Sequence, residues 1–288
     1  MSRSTAAWFA GSLVAAAVVA AAVGLPAGET PTAPQQHATM TAPATAPRCS
    51  FEIGETAAFT LESATRDVRG DEADRLRGTL SWEVVDRLDV DRWRLRAALR
   101  DVSLTQTLTL EGERVAGPLT DPFFVDVDES CRFVGFGFTR EWDPRRRQLV
   151  QSTLLTHEYV APASPRRTLW SADQLDGVGA FEARYELTPV EAGPVARVRR
   201  HKAAYDGSAE AGAFGVSIAV VGSEATASFD RGRPHWLTRS AGLERVQIRV
   251  EGELVADLLQ KFRLTRNDAR FAAVPAMDPA DADFRDAF

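Results

Sequence analysis

The chain has 288 residues, a formal charge of -6, 44% hydrophobic and 26% charged residues. The acidic balance argues against general nucleic-acid affinity, and the apolar fraction is that of a chain with a real core rather than of a disordered one. Lys202 and Lys261 are the only lysines, so arginine carries nearly all the positive charge.

Residues 1–25 read as an export leader. Arg3 supplies a short positive start, and Ala6 to Leu25 carries no charge. About twenty residues at roughly 1.5 Å each span a bilayer, so a cleaved signal peptide and an uncleaved membrane anchor at residues 6–25 both fit. Ala20-Ala21-Ala22 offers a cleavage site, whereas no lipobox precedes Cys49. Residues 26–48 are rich in Pro, Ala and Thr, and the prolines at 26, 31, 34, 43 and 47 make a semi-extended linker. An exported domain then begins at Cys49. Cys49 and Cys131 are the only cysteines, and a disulfide between them and two buried free thiols are both open readings.

From Phe51 onward apolar and polar residues alternate. Phe51 to Leu61, Leu76 to Val84, Trp93 to Leu99 and Leu104 to Leu110 predict four half-buried antiparallel strands. Phe123 to Val127 and Cys131 to Phe138 predict a hairpin. Asp143-Pro144 then gives a cap and a first helical residue, and the stripe of Leu149, Val150 and Leu154 predicts a helix over about 143–160, stopped by Pro162. Arg145 to Arg147 stand in its first turn, against the helix dipole, and read as solvated or as meeting acidic groups. Strand patterns resume in Phe181 to Leu187, Val195 to Tyr205, Phe214 to Val221, Ala225 to Phe229, Trp236 to Ala241 and Val246 to Val255. Leu258 to Leu264 reads as a strand or short helix, and residues 271–288 as a loose acidic tail. About eleven or twelve strands and one helix predict a mainly β domain over 49–270, a large antiparallel curled sheet or barrel with the helix inside.

The order of these elements resembles the N-terminal barrel domain of the vitellogenin and apolipoprotein B group of large lipid transfer proteins. The matching residues are Pro122-Phe123-Phe124-Val125, Val134 to Phe138, Trp142-Asp143 into Arg147 to Ser152, Asp176-Gly177 followed by Tyr185, and the basic strand Val198 to Lys202. The likeness spans roughly residues 51–255. It implies a barrel around a helix and carries no catalytic residue. The cysteine that this group places after the glycine is absent here, and so are its downstream helical and sheet modules.

Chemical motifs are few. The four histidines are dispersed, and there is no GxSxG, HExxH or CxxC pattern, no phosphate loop and no cofactor signature. His157-Glu158 offers an acid/base pair or a plain helix-surface pair. Arg197, Arg199, Arg200 and Lys202 form the densest basic cluster and read as a patch for an anionic partner. On a strand, residues 197, 199 and 201 share one face and 200 and 202 the other. Five tryptophans (82, 93, 142, 170, 236) are core candidates. The residues therefore predict an exported, non-enzymatic domain that binds a lipid-like ligand, against Leu149, Val150 and Leu154, or a protein partner at the cell envelope. The alternative is a scaffolding domain displayed on an N-terminal anchor.

Overall fold

The computed structural model describes residues 45–109, 114–188, 195–205 and 215–286, so the leader and most of the linker lie outside the described residues. Twelve strands form a single sheet. They are β1 (Thr56–Asp67), β2 (Ala73–Asp89), β3 (Arg92–Gln106), β4 (Phe123–Asp128), β5 (Phe133–Thr139), β6 (Leu169–Leu175), β7 (Ala180–Thr188), β8 (Val195–Tyr205), β9 (Val216–Asp230), β10 (Arg233–Val250), β11 (Glu253–Arg266) and β12 (Ala282–Asp286). The order is β12-β5-β4-β3-β2-β1-β11-β10-β9-β8-β7-β6, with every pairing antiparallel. Two meanders thus meet where β1 lies beside β11, with Phe59 opposite Arg266.

The single α-helix among the described residues, α1 (Pro144–Thr156), joins the two meanders and sits inside the curl. Asp143 caps it by accepting from the amides of Arg145 and Arg146, and Pro144 fills the first turn. It ends at Thr156, short of the expected stop at Pro162. Two arginines of its first turn are paired rather than solvated. Arg146 is buried against Asp121 at 2.5 Å and lies over the Trp142 ring, while Arg147 reaches Asp283 at 3.3 Å. The acidic partners offset the unfavourable dipole position.

Several predicted strands merge. Trp93 to Leu99 and Leu104 belong to one strand, β3, because a bulge at Asp101 (φ 50) shifts the phase between them. The runs around Ile218 and Phe229 are likewise one strand, β9, with its register broken beside Gly222. Phe51 lies in a loop ahead of β1, and residues 258–264 are strand within β11.

The acidic tail is not loose. After β11 the chain crosses the outer face of β1 to β3, where small residues (Ala58, Ser81, Ala98) leave room for it and Val274 becomes buried. Asn267 donates to the Ala58 carbonyl at 2.7 Å and Arg100 to the Ala273 carbonyl at 2.7 Å. The chain then lies beside β5 as β12. There Phe284 rests on Gly137, stacks on Phe124, and is covered by the Arg94 guanidinium at 3.8 Å. The aspartates carried by this segment hid its apolar anchor.

Candidate functional site

The interior is organised by the residues that follow α1. His157 caps the helix C-terminus, and Glu158 turns inward. One Glu158 oxygen accepts from the Phe133 amide of β5 and the other from the Gln174 side chain of β6, each at 2.7 Å. β5 and β6 stand near opposite ends of the strand order, so one carboxylate bridges the seam where a closed barrel would have a backbone ladder. Trp170 donates to the Val160 carbonyl at 2.8 Å and Ala161 to the Ser130 carbonyl at 2.7 Å across the same seam.

Behind the seam lies a buried charged cluster. Arg200 donates to the carbonyls of Thr156 and Glu158 at the helix end and to Glu244 at 3.0 Å. Lys202 pairs with Glu244 at 2.7 Å, with Asp176, and with the Tyr205 hydroxyl at 2.9 Å. The two cations and two carboxylates balance, which is the condition for burying charge at tolerable cost. Burial raises the Glu158 carboxyl to about 7 and lowers His157 to about 3, the latter aided by nearby Arg200.

His157 Nδ1 lies 3.2 Å from the Ser240 hydroxyl. No group orients the imidazole from its other side, since Nε2 has no partner among the described residues, and Ser240 is itself buried. A buried serine beside a neutral, unoriented imidazole lacks the third member that activates a nucleophile. His157 and Glu158 are therefore neither a helix-surface pair nor an acid/base pair turned toward solvent.

Two spaces flank α1. One is a cleft of about 280 Å3 between the helix and the sheet, with Leu149 on one side and Leu76, Leu104, Val246 and Leu258 opposite. Ser63, Thr65, Gln260 and Thr153 give it a polar lining as well, and Asp74, Arg75 and the cluster residues Asp176 and Glu244 a charged one. It continues outward past Val115, Arg145 and Gln148. The other space is an aromatic cavity of about 60 Å3, walled by Phe59, Trp82, Phe133, Tyr159, Phe229 and Trp236.

The residues singled out from sequence fall into place unevenly. Leu149 faces the cleft, Leu154 lines the aromatic cavity, and Val150 is packed in the core. Cys49 and Cys131 are joined, with Cα atoms 5.1 Å apart, and line the aromatic cavity. The basic quartet does not form one patch. Arg197 and Arg199 face outward, whereas Arg200 and Lys202 are buried in the ion cluster. Continuing the inward alternation of Ala196 and Val198 would have placed them there. Sequence reading missed Glu244 and gave no interior role to Gln174 and Asp176, whose importance depends on partners from distant strands. Among the described residues no three metal-ligating side chains converge, and no helix is long and apolar enough to cross a membrane.

No protein-family model and no curated protein sequence matches the chain. Solved structures do, among them lipovitellin, in a structure concerned with its lipid–protein interactions, at a TM-score of 0.50 and 11% identity. The fold is loosely lipovitellin-like. The match covers 79% of this chain and 27% of the lipovitellin chain, so the likeness concerns about a quarter of that protein. It agrees with the resemblance carried by Pro122 to Ser152.

Proposed function

We propose that the chain is an exported, non-catalytic binding module that holds an apolar, lipid-like ligand in the cleft beside α1. The observation that carries this reading is the cleft. α1 fills the aromatic half of the curl but stands away from the sheet at Leu149, leaving about 280 Å3 lined by leucines, Val246 and small hydroxyl residues, with Asp74, Arg75, Asp176 and Glu244 also on its wall. That size approaches the lower bound of ligand pockets, about 300 Å3, and suits one chain of an apolar ligand rather than a whole bilayer lipid. The lipovitellin-like fold supports the same reading. The Cys49–Cys131 bond supports an oxidising compartment, periplasmic, cell-envelope or extracellular, and the apolar run at 6–25 would deliver or tether the domain there.

The test is to purify the full chain, extract it with organic solvent and identify the extract by mass spectrometry. The ligand reading expects a co-purifying lipid, and expects Leu149→Arg, which places a cation in the cleft, to emerge empty with unchanged circular dichroism. Wild-type protein that carries no lipid and takes up none from vesicles overturns it.

A second reading has its own support. The aromatic half of the interior is nearly filled, as in a domain built to be rigid. On that reading the chain is a scaffold displayed on its N-terminal anchor and engages a protein partner. It predicts an empty extract and a tight, salt-sensitive protein complex instead.

A further inference from the structure

Residues 46–53 form a strap over the aromatic cavity. Arg48 and Ser50 face outward while Cys49 and Phe51 face in. At its start the strap is well tied. Ala46 donates to the Pro165 carbonyl at 2.7 Å, the Pro47 carbonyl accepts from Tyr159 at 3.0 Å, and Cys49 donates to the Glu129 carbonyl at 3.0 Å and is bonded to Cys131. At its far end the Glu52 carbonyl accepts from Glu55 at 3.1 Å and Gly54 donates to the Val84 carbonyl at 2.8 Å, so the strap is tied at both ends and its middle is held by the Phe51 ring. This ring packs at 4.8 Å from Trp236, 5.6 Å from Trp93 and 5.5 Å from His235.

The residues that wall the cavity beneath carry polar groups without a partner among the described residues. Trp82 Nε1 and His157 Nε2 are buried without a partner among the described residues, and both residues line it. His235 Nε2, also on the wall, lies 3.1 Å from Glu55 but without hydrogen-bond geometry. An unpaired indole N–H in an otherwise apolar wall is costly, and a ligand offering one acceptor would remove that cost. Burial keeps His157 uncharged, so the site favours a neutral molecule.

We propose that this cavity is a binding site for a neutral apolar molecule carrying one hydrogen-bond acceptor, such as a carbonyl, and that the 46–53 strap is its lid. Phe51 holds the place of the ligand's apolar end, and the disulfide locks the lid. The present free volume of about 60 Å3 admits only the acceptor end; the apolar body enters when Phe51 swings out. This site is separate from the cleft at Leu149.

The experiment titrates full-length protein with prodan, a naphthyl ketone whose emission shifts blue in apolar surroundings. Oxidised wild type should bind weakly. Phe51→Ala should bind at least about tenfold more tightly, because a competing internal ring is gone. Reduction of wild type with a phosphine should shift its affinity the same way without altering the chain, which keeps the test valid if the variant folds poorly. Adding Trp82→Phe to Phe51→Ala should then lose roughly fivefold, the value of one neutral hydrogen bond. Carrying out every titration in the Leu149→Arg background removes probe held in the cleft, so failure of the cleft reading and failure of the lid are told apart. Equal prodan affinity in oxidised, reduced and Phe51→Ala protein overturns the lid. Indifference to Trp82→Phe overturns the assignment of the acceptor.

Discussion

Gln174 donates its side-chain amide to the buried carboxylate of Glu158 at 2.7 Å and, through its own carbonyl oxygen, accepts from the Tyr185 hydroxyl at 2.7 Å. A side chain from β6 thereby holds a residue that also grips β5, so the curl is closed by side chains where no backbone ladder runs.

Glu158 and its neighbour His157 pull the pH dependence of stability in opposite directions. Burial raises Glu158 from 4.5 to about 7, so the folded state binds more protons than the unfolded state between those values, and stability falls as pH rises through that window. Burial lowers His157 from 6.5 to about 3, so the unfolded state binds more protons there, and stability falls as pH drops from 6.5. Between about pH 4.5 and 6.5 the two slopes offset each other. Urea midpoints of Glu158→Gln should therefore rise with pH over that interval, and those of His157→Phe should fall. Parallel profiles for both variants would refute the opposition.

The ion cluster behind the seam is predicted to be strongly unforgiving of single changes. Arg200→Met strips the carbonyls of Thr156 and Glu158 of a donor and leaves Glu244 with Lys202 as its one remaining ion-pair partner among the described residues. Breaking a buried pair from one side costs about 3–5 kcal/mol. Combining it with Glu244→Gln should cost less than the sum of the two single changes, and denaturant titration of the four proteins measures the difference.

Loss of the Cys49–Cys131 bond releases a constraint spanning 82 residues. On the chain-entropy account, Cys49→Ser with Cys131→Ser should lower stability by roughly 4 kcal/mol. Calorimetry with and without reductant checks this, and wild type under reducing conditions should match the double variant.

β12 depends on one ring over one glycine. A Cβ at Gly137 would come within 2.5 Å of the Phe284 ring, so only glycine lets the ring lie flat there. Phe284→Ala should cost roughly 2 kcal/mol, below the fully buried range because Phe284 is half-exposed. It should also speed amide exchange at Gly135 and Gly137 and promote association through the uncovered edge of β5. Light scattering reads the association.

Much of this architecture is written locally. Asp143-Pro144 announces α1, because a cap and a proline act within one turn, and alternation announces the strands, because it repeats every second residue. Where Asp101 or Val221 inserts a bulge the phase breaks, and a single strand reads as two. Glu158 was visible only as half of a helix-surface or acid/base pair with His157, since the groups that make it important come from Phe133 and Gln174. β12 was obscured because charge dominates its composition while its anchor, Phe284, needs Gly137 from another meander. The cleft was half legible: the apolar stripe of α1 named Leu149, but not that the sheet would stand back from it.

The pairing of β1 with β11 fixes when this protein can fold. Phe59 finds its partner in Arg266, so the edge of β1 stays open until β11 has been made. Contacts so distant in sequence form slowly, and an open apolar edge is exposed to self-association in the meantime. The first meander must wait for the second, which makes arrival of the last strands, rather than of the first, the event that commits the molecule to its final shape.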